Sequence, residues 1–171
     1  MPPIARRILE RNFAMTTLFR FLQFFTLGLW IGSILYFGAI VAPAAFTVSS
    51  NQDQVGAFVG LTLSRLHLMG IVAGAIFLIA TAALERSPAA LLRPAPLLVL
   101  LMVVLTFVSQ FWVIATMDAL RAQMGSVCAT PASNALRASF DRLHTVSVRL
   151  EMGVLVAGIA ALVLISRKPA L

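Results

Sequence analysis

Uncharged apolar runs recur four times along the chain, separated by polar or helix-breaking residues. The first extends from Phe21 to Val41. The second, Leu66 to Leu84, is bracketed by Arg65 and by Glu85-Arg86. The third, Leu97 to Met117, opens after the breakers Pro94 and Pro96. The fourth has an uncharged core of Met152 to Ser166 and reaches spanning length by drawing in Val146 to Glu151. A membrane-crossing helix needs about 20 largely apolar residues. The pattern therefore predicts an all-α integral membrane bundle of four transmembrane helices, with spans at about 21–41, 66–84, 97–117 and 146–166. A basic cytoplasmic leader, 1–20, precedes a single transmembrane domain, 21–171.

The connections refine this picture. A short segment, Glu85 to Pro96, joins spans two and three, and longer polar connections are expected from Pro43 to Arg65 and from Asp118 to Leu143. Thr130-Pro131 pairs a good N-cap residue with proline at the first helical position. The fourth helix is therefore expected to begin near Pro131 and to stand above the bilayer for several turns.

Composition changes the picture little. Of the 171 residues 60% are hydrophobic and only 11% charged, well below the roughly one quarter charged residues of soluble domains. The net charge of +7 does not indicate nucleic acid, because the basic residues stand at the ends of apolar runs and form no patch. The lone Cys128 cannot form an intramolecular disulfide and lacks the companions of a zinc site. Val41-Ala42-Pro43-Ala44 has the small residues of a signal-peptidase site, but the apolar run before it is longer than an h-region. Met15 is an alternative start to Met1.

Orientation follows from the basic residues. Arg6, Arg7, Arg11, Arg20, Arg86, Arg93, Arg167 and Lys168 fall on one side, and Arg65, Arg121, Arg137, Arg142 and Arg149 on the other. The positive-inside rule predicts a multi-pass protein of the inner (plasma) membrane with both termini cytoplasmic.

One internal repeat stands out. Arg65-Leu66-His67 opens span two and Arg142-Leu143-His144 opens the fourth helix, as two helical hairpins related by a parallel repeat would have it. Below each histidine runs a small or polar stripe at helical spacing: His67, Gly70 and Gly74, and His144, Ser147 and Glu151. Gly28-x-x-x-Gly32 and Gly70-x-x-x-Gly74 are expected to pack helices, since small residues allow close backbone approach in membranes.

Glu151 is the most informative residue. A bare carboxylate about five residues into a span costs at least ~2.5 kcal/mol, so it must be paired, protonated or wetted. His144, His67 and Arg65 are its candidate partners across the bundle. Gln110, with Thr106 one turn earlier, places an amide in mid-span, where such groups bond between helices. His67, His144, Ser147, Glu151 and Gln110 are therefore the candidate polar site. No metal site is expected, and His67 and His144 would be the ligands if a metal or b-type haem were held. No catalytic residue and no cofactor are expected: phosphate loop, nucleophile elbow, zinc motif and triad are all missing from the sequence.

Three stretches resemble a known family. Leu29-Trp30-Ile31-Gly32 with Pro43 and Phe46, the Arg65-Leu66-His67 triplet, and Phe140-Asp141-Arg142-Leu143-His144-Thr145-Val146-Ser147 are similar to bacterial four-helix membrane proteins of unknown function related to human transmembrane protein 205. The resemblance implies a four-helix membrane protein and no particular reaction. It also implies an asparagine where this chain has Glu151, which favours a hydrogen-bonding role there.

The reading that follows is a non-enzymatic membrane protein (accessory, scaffold or small transport-related factor) with a polar site near the outer membrane face. The alternatives are a metal- or haem-binding resistance or redox protein and a proton-coupled transporter acting as an oligomer. The expected partners are the lipid bilayer and either a second copy or another membrane protein, with nucleic acid excluded.

Overall fold

Asn51 and Asn134 open two of the long helices. Each carries a side-chain oxygen that accepts a backbone N–H of the first turn, from Gln54 at 3.1 Å and from Leu136 at 2.8 Å, satisfying donors that a helix start leaves unpaired. The computed structural model describes residues 3–167, with side chains from Asn12 onward. Met1, Lys168 and the side chains of Arg6, Arg7 and Arg11 lie outside the described residues. Helix α1 (Pro3–Tyr36) passes through a π-turn, Phe37–Val41, into α2 (Ala42–Val48). After Asn51 comes α3 (Gln52–Glu85), which ends where Arg86 turns left-handed, at φ 50°. A 3₁₀ turn, Pro88–Leu92, leads to α4 (Pro94–Val108), with proline in its first turn. Helix α4 continues through a second π-turn, Ser109–Ile114, into α5 (Ala115–Met124), which Gly125 closes at φ 70°. Helix α6 (Ala135–Ser166) completes the chain, and the described residues contain no strand.

Four continuous apolar rods result, Asn12–Val48, Gln52–Glu85, Pro94–Met124 and Ala135–Ser166. The shortest has 31 residues, or about 46 Å at 1.5 Å per residue, against a hydrocarbon core of about 30 Å. The last three predicted spans stop at the charged ends near Glu85, Pro94 and Ser166, so their excess length projects at the opposite, loop end, while the first rod also runs past its predicted span on the N-terminal side. Residues 43–65 and 118–124 were expected as polar connections, yet they are mostly helix. Their side chains are mixed enough to read as loop, and most of them stay exposed although the backbone is helical. The fourth helix starts at Ala135, not near Pro131, because Asn134 takes the capping role expected of Thr130.

The rods form a ring, α1 beside α3, α3 beside α4, α4 beside α6, with the thinnest seam between α6 and α1. Trp30, Leu27, Phe77, Val99, Met102, Val154 and Ala161 fill the centre. Trp30 lies on Gly70 and Gly74: a methyl on Gly70 would overlap the indole, and one on Gly74 would stand 2.5 Å from Val103 Cγ2. That glycine pair seats a large ring, and the nearest atoms to it are side chains. Gly28 and Gly32 are exposed, with nothing within 4 Å of an added Cβ. Among the described residues they pack no helix, because Trp30 and Ile31 turn the other face of α1 inward.

The two halves share a plan: a first helix broken by a π-turn, a short helix, a connection, then a second long helix. The Arg-Leu-His triplets are not level, however. His67 stands eighteen positions before the end of α3 and His144 twenty-two before the end of α6, about one turn further out. His67 is buried and His144 exposed.

Candidate functional site

Buried polar groups in a membrane bundle are costly without a partner, since neither water nor lipid will bond them. His67 on α3 is fully buried and has a partner at each ring nitrogen. Nδ1 lies 2.9 Å from Gln110 Oε1, in the second π-turn, and Nε2 lies 2.5 Å from Glu151 Oε1 on α6. Three of the four rods thus meet at one imidazole. The π-turn at Ser109–Ile114 adds a residue to a helical turn at the level of Gln110.

Glu151 keeps 16% of its side-chain surface, and this opening faces a cavity of about 950 Å³. The walls are Ile34, Leu35, Phe37 and Phe46 on α1, the π-turn and α2, and Val148, Met152 and Leu155 on α6. Ser147 and His144 line it above Glu151, at the spacing that places them on one face of α6. Of the expected site residues, the structure joins His67, Gln110 and Glu151 by hydrogen bonds. It sets Ser147 and His144 along the cavity wall, apart from the imidazole's own bonds. Arg65 and Arg149 are both exposed. Both nitrogens of His67 are engaged within the protein, and among the described residues no three His, Cys, Asp or Glu side chains gather as metal ligands.

The cavity is open on one side for a structural reason. Helices α1 and α6 approach closely where Gly158 faces Ile31, and a methyl on Gly158 would stand 2.9 Å from Ile31 Cγ1. Toward the loop end the seam widens. Leu35, Val148 and Met152, on its two sides, are each about half exposed, so the opening faces the membrane.

Its roof was not legible in the sequence. Asp53, in the first turn of α3, accepts from Ser126 Oγ at 2.5 Å, Val127 N at 3.0 Å and Cys128 N at 3.2 Å. Arg137 donates to Val127 O at 2.6 Å and pairs with Asp141. Arg121 donates to Asp118 and to Gly56 O, its guanidinium 5.5 Å from the Phe140 ring centre. These bonds tie the 125–134 connection down over the bundle. The thiol of Cys128 is pushed above its ordinary pKa by partial desolvation and then by the neighbouring Asp53 carboxylate, with Arg137 opposing. The available sequence signal was an acidic residue just after a helix cap, with Ser126 in the far connection.

Residues 25–126, more than half of the chain, match a family described as a domain of unknown function (DUF4149). The chain belongs to the DUF4149 family. No curated protein and no solved structure matches it. The family match takes in His67 and Gln110 and stops before α6, so Glu151, His144 and Ser147 lie beyond the matched segment.

Proposed function

We propose that this DUF4149 protein is a non-enzymatic membrane protein, an accessory or small transport-related factor, that holds an amphiphilic molecule at the loop end of its bundle. The observation that carries this reading is the cavity between α1 and α6, apolar along its walls and closed at its floor by Glu151. Ligand sites are concave and mostly apolar, with a few convergent polar groups that fix orientation. A molecule with an apolar tail can enter from the bilayer through the half-exposed seam.

A binding role is favoured over a catalytic one because His67 spends both nitrogens on Gln110 and Glu151. The same arrangement weighs against axial ligation of haem or metal by His67 and His144. The distribution of basic residues supports a loop end outside and both termini in the cytoplasm, in which case the cavity would draw on the outer leaflet. The likeness to relatives of human transmembrane protein 205 rests on the quoted motifs and adds no ligand.

Native mass spectrometry of the full chain released from lipid nanodiscs tests this reading. The wild type should retain a bound amphiphile, and Leu155→Trp, which fills the cavity, should not. Equal occupancy in both, or a bare wild type, would refute the assignment.

A further inference from the structure

The His67–Glu151 contact contains a proton. An imidazole nitrogen and a carboxylate oxygen 2.5 Å apart would repel as two acceptors, so one of them carries hydrogen. The Gln110 amide faces the other ring nitrogen and can present either its oxygen or, after rotation, its N–H. With the oxygen presented, His67 Nδ1 also carries hydrogen and the His67–Glu151 pair is neutral. With the N–H presented, Nδ1 accepts, Nε2–H donates to the carboxylate, and the pair carries one negative charge. Gln110 therefore satisfies the imidazole in both charge states.

The second oxygen of Glu151 has no protein partner among the described residues, and the residue lines the cavity. The other titratable groups on that wall are engaged or distant from the floor. Asp53 on α3 is bonded to the 125–134 connection, Arg121 on α5 to Asp118, and Asp141 on α6 to Arg137. Cys128 lies in the roof and His144 is exposed nearer the mouth. Helices α1 and α2 and the π-turn between them contribute no titratable side chain to the wall.

We propose that the cavity binds a lipophilic organic cation, which replaces the one exchangeable proton of the His67–Glu151 pair. The proposal rests on the cavity reading above and names its ligand class. A hard metal ion needs about six oxygen ligands, and Glu151 offers one free oxygen between apolar walls. An anion would be repelled by the carboxylate. A neutral amphiphile would leave the pair unchanged. An alkylammonium head satisfies the carboxylate, its tail lies along Leu35, Phe37 and Leu155, and aromatic faces such as Phe37 and Phe46 favour a cation.

The charges balance. The cation enters, the Nδ1–H bond breaks with its electrons kept by nitrogen as the Gln110 amide rotates to present its N–H, Nε2–H still donates to the carboxylate, and the released proton passes to water. Ser147 and His144 mark the polar route along α6. The floor is neutral before and after, so a site in low dielectric never bears an uncompensated charge.

Isothermal calorimetry of the full chain in phosphatidylcholine nanodiscs, with decyltrimethylammonium as probe and 1-decanol as its neutral match, tests this. The cation should bind saturably, release protons as read from two buffers of different ionisation enthalpy, and bind more weakly as the buffer is made acidic. Glu151→Gln should weaken it about tenfold or more, the order of a lost close charge pair, and Leu155→Trp should block it. Proton release needs no variant, so a poorly folded Glu151→Gln leaves the test intact. Cation binding without proton release, or undiminished in a folded Glu151→Gln, overturns the proposal. Decanol bound in a Leu155→Trp-sensitive way with no cation binding overturns it while leaving the cavity reading standing. If neither probe binds, both readings fall.

Discussion

His67 and Glu151, 84 positions apart, meet at 2.5 Å with the imidazole fully buried and the carboxylate open only to the cavity. Removing one partner of such a pair is costly because the other stays behind without it. His67→Ala strands both Gln110 and Glu151 and should lower stability by about 2–4 kcal/mol. Glu151→Gln keeps a group able to donate to His67 Nε2 and should cost less than half as much. Denaturation of the two variants in mixed micelles gives the comparison. Equal losses would mean that the amide cannot take the place of the carboxylate against His67 Nε2.

Two glycine pairs with the same spacing should respond oppositely to a methyl group. Gly70→Ala drives into the Trp30 ring, which is 1% exposed and has nowhere to move. Overpacking of this kind costs about 1–3 kcal/mol. Gly28→Ala meets open space and should be neutral or slightly stabilising in a helix. Trp30→Phe should recover part of the Gly70→Ala loss, because the smaller ring clears the methyl. The exchange removes an indole N–H that has no partner, so no hydrogen bond is lost with it. Thermal midpoints of the four proteins, Gly28→Ala, Gly70→Ala, Trp30→Phe and the Trp30→Phe/Gly70→Ala double variant, decide the matter.

These results show what could be read from the chain and what could not. The four helices were legible because apolar length is a one-dimensional property, and the charged ends near Glu85 and Ser166 mark its limits. Glu151 was legible as a residue needing a partner, since the cost of a bare carboxylate in lipid depends on its place along the span. Which partner it takes was not: His67 and Arg65 on α3 are alike from α6, His144 lies on α6 itself two turns away, and the choice depends on how α3 rotates when Trp30 seats on Gly70 and Gly74. The helical lengths beyond the bilayer were misread as connections, because Asp53 looks like surface until the 125–134 connection bonds to it, and Arg121 until Gly56 and Phe140 meet it. Neither π-turn has a sequence mark, yet one of them carries Gln110.

Cys128 reports on that roof. Its thiol is exposed and raised above the ordinary thiol range by partial desolvation and by Asp53. The thiolate is the reactive form, so alkylation should be slow at neutral pH and should accelerate as the medium is made alkaline. Asp53→Asn removes the negative charge, lowers the thiol's pKa and should move the rate profile to lower pH. A membrane-impermeant maleimide should label Cys128 in intact cells if the loop end faces outward. Labelling only after lysis would reverse the proposed topology.

At the opposite end of the bundle, Gln23 on α1 donates to Thr81 Oγ1 on α3 at 2.8 Å, and that hydroxyl donates in turn to Phe77 O. Both side chains are buried, so the bond closes the α1–α3 contact where neither water nor lipid can substitute for it. Thr81→Val preserves shape but leaves the amide without an acceptor. Bonds of this kind between membrane helices are worth about 0.6–2 kcal/mol, and the loss should fall at the upper part of that range because an orphaned buried amide adds its own penalty. Gln23→Leu in the Thr81→Val background removes the orphan. The double variant should then be at least as stable as Thr81→Val alone, and the cycle should show coupling of about 0.5–2 kcal/mol. Strictly additive single effects would mean that the two side chains do not bond in the membrane and that the α1–α3 contact depends on the Trp30 socket alone.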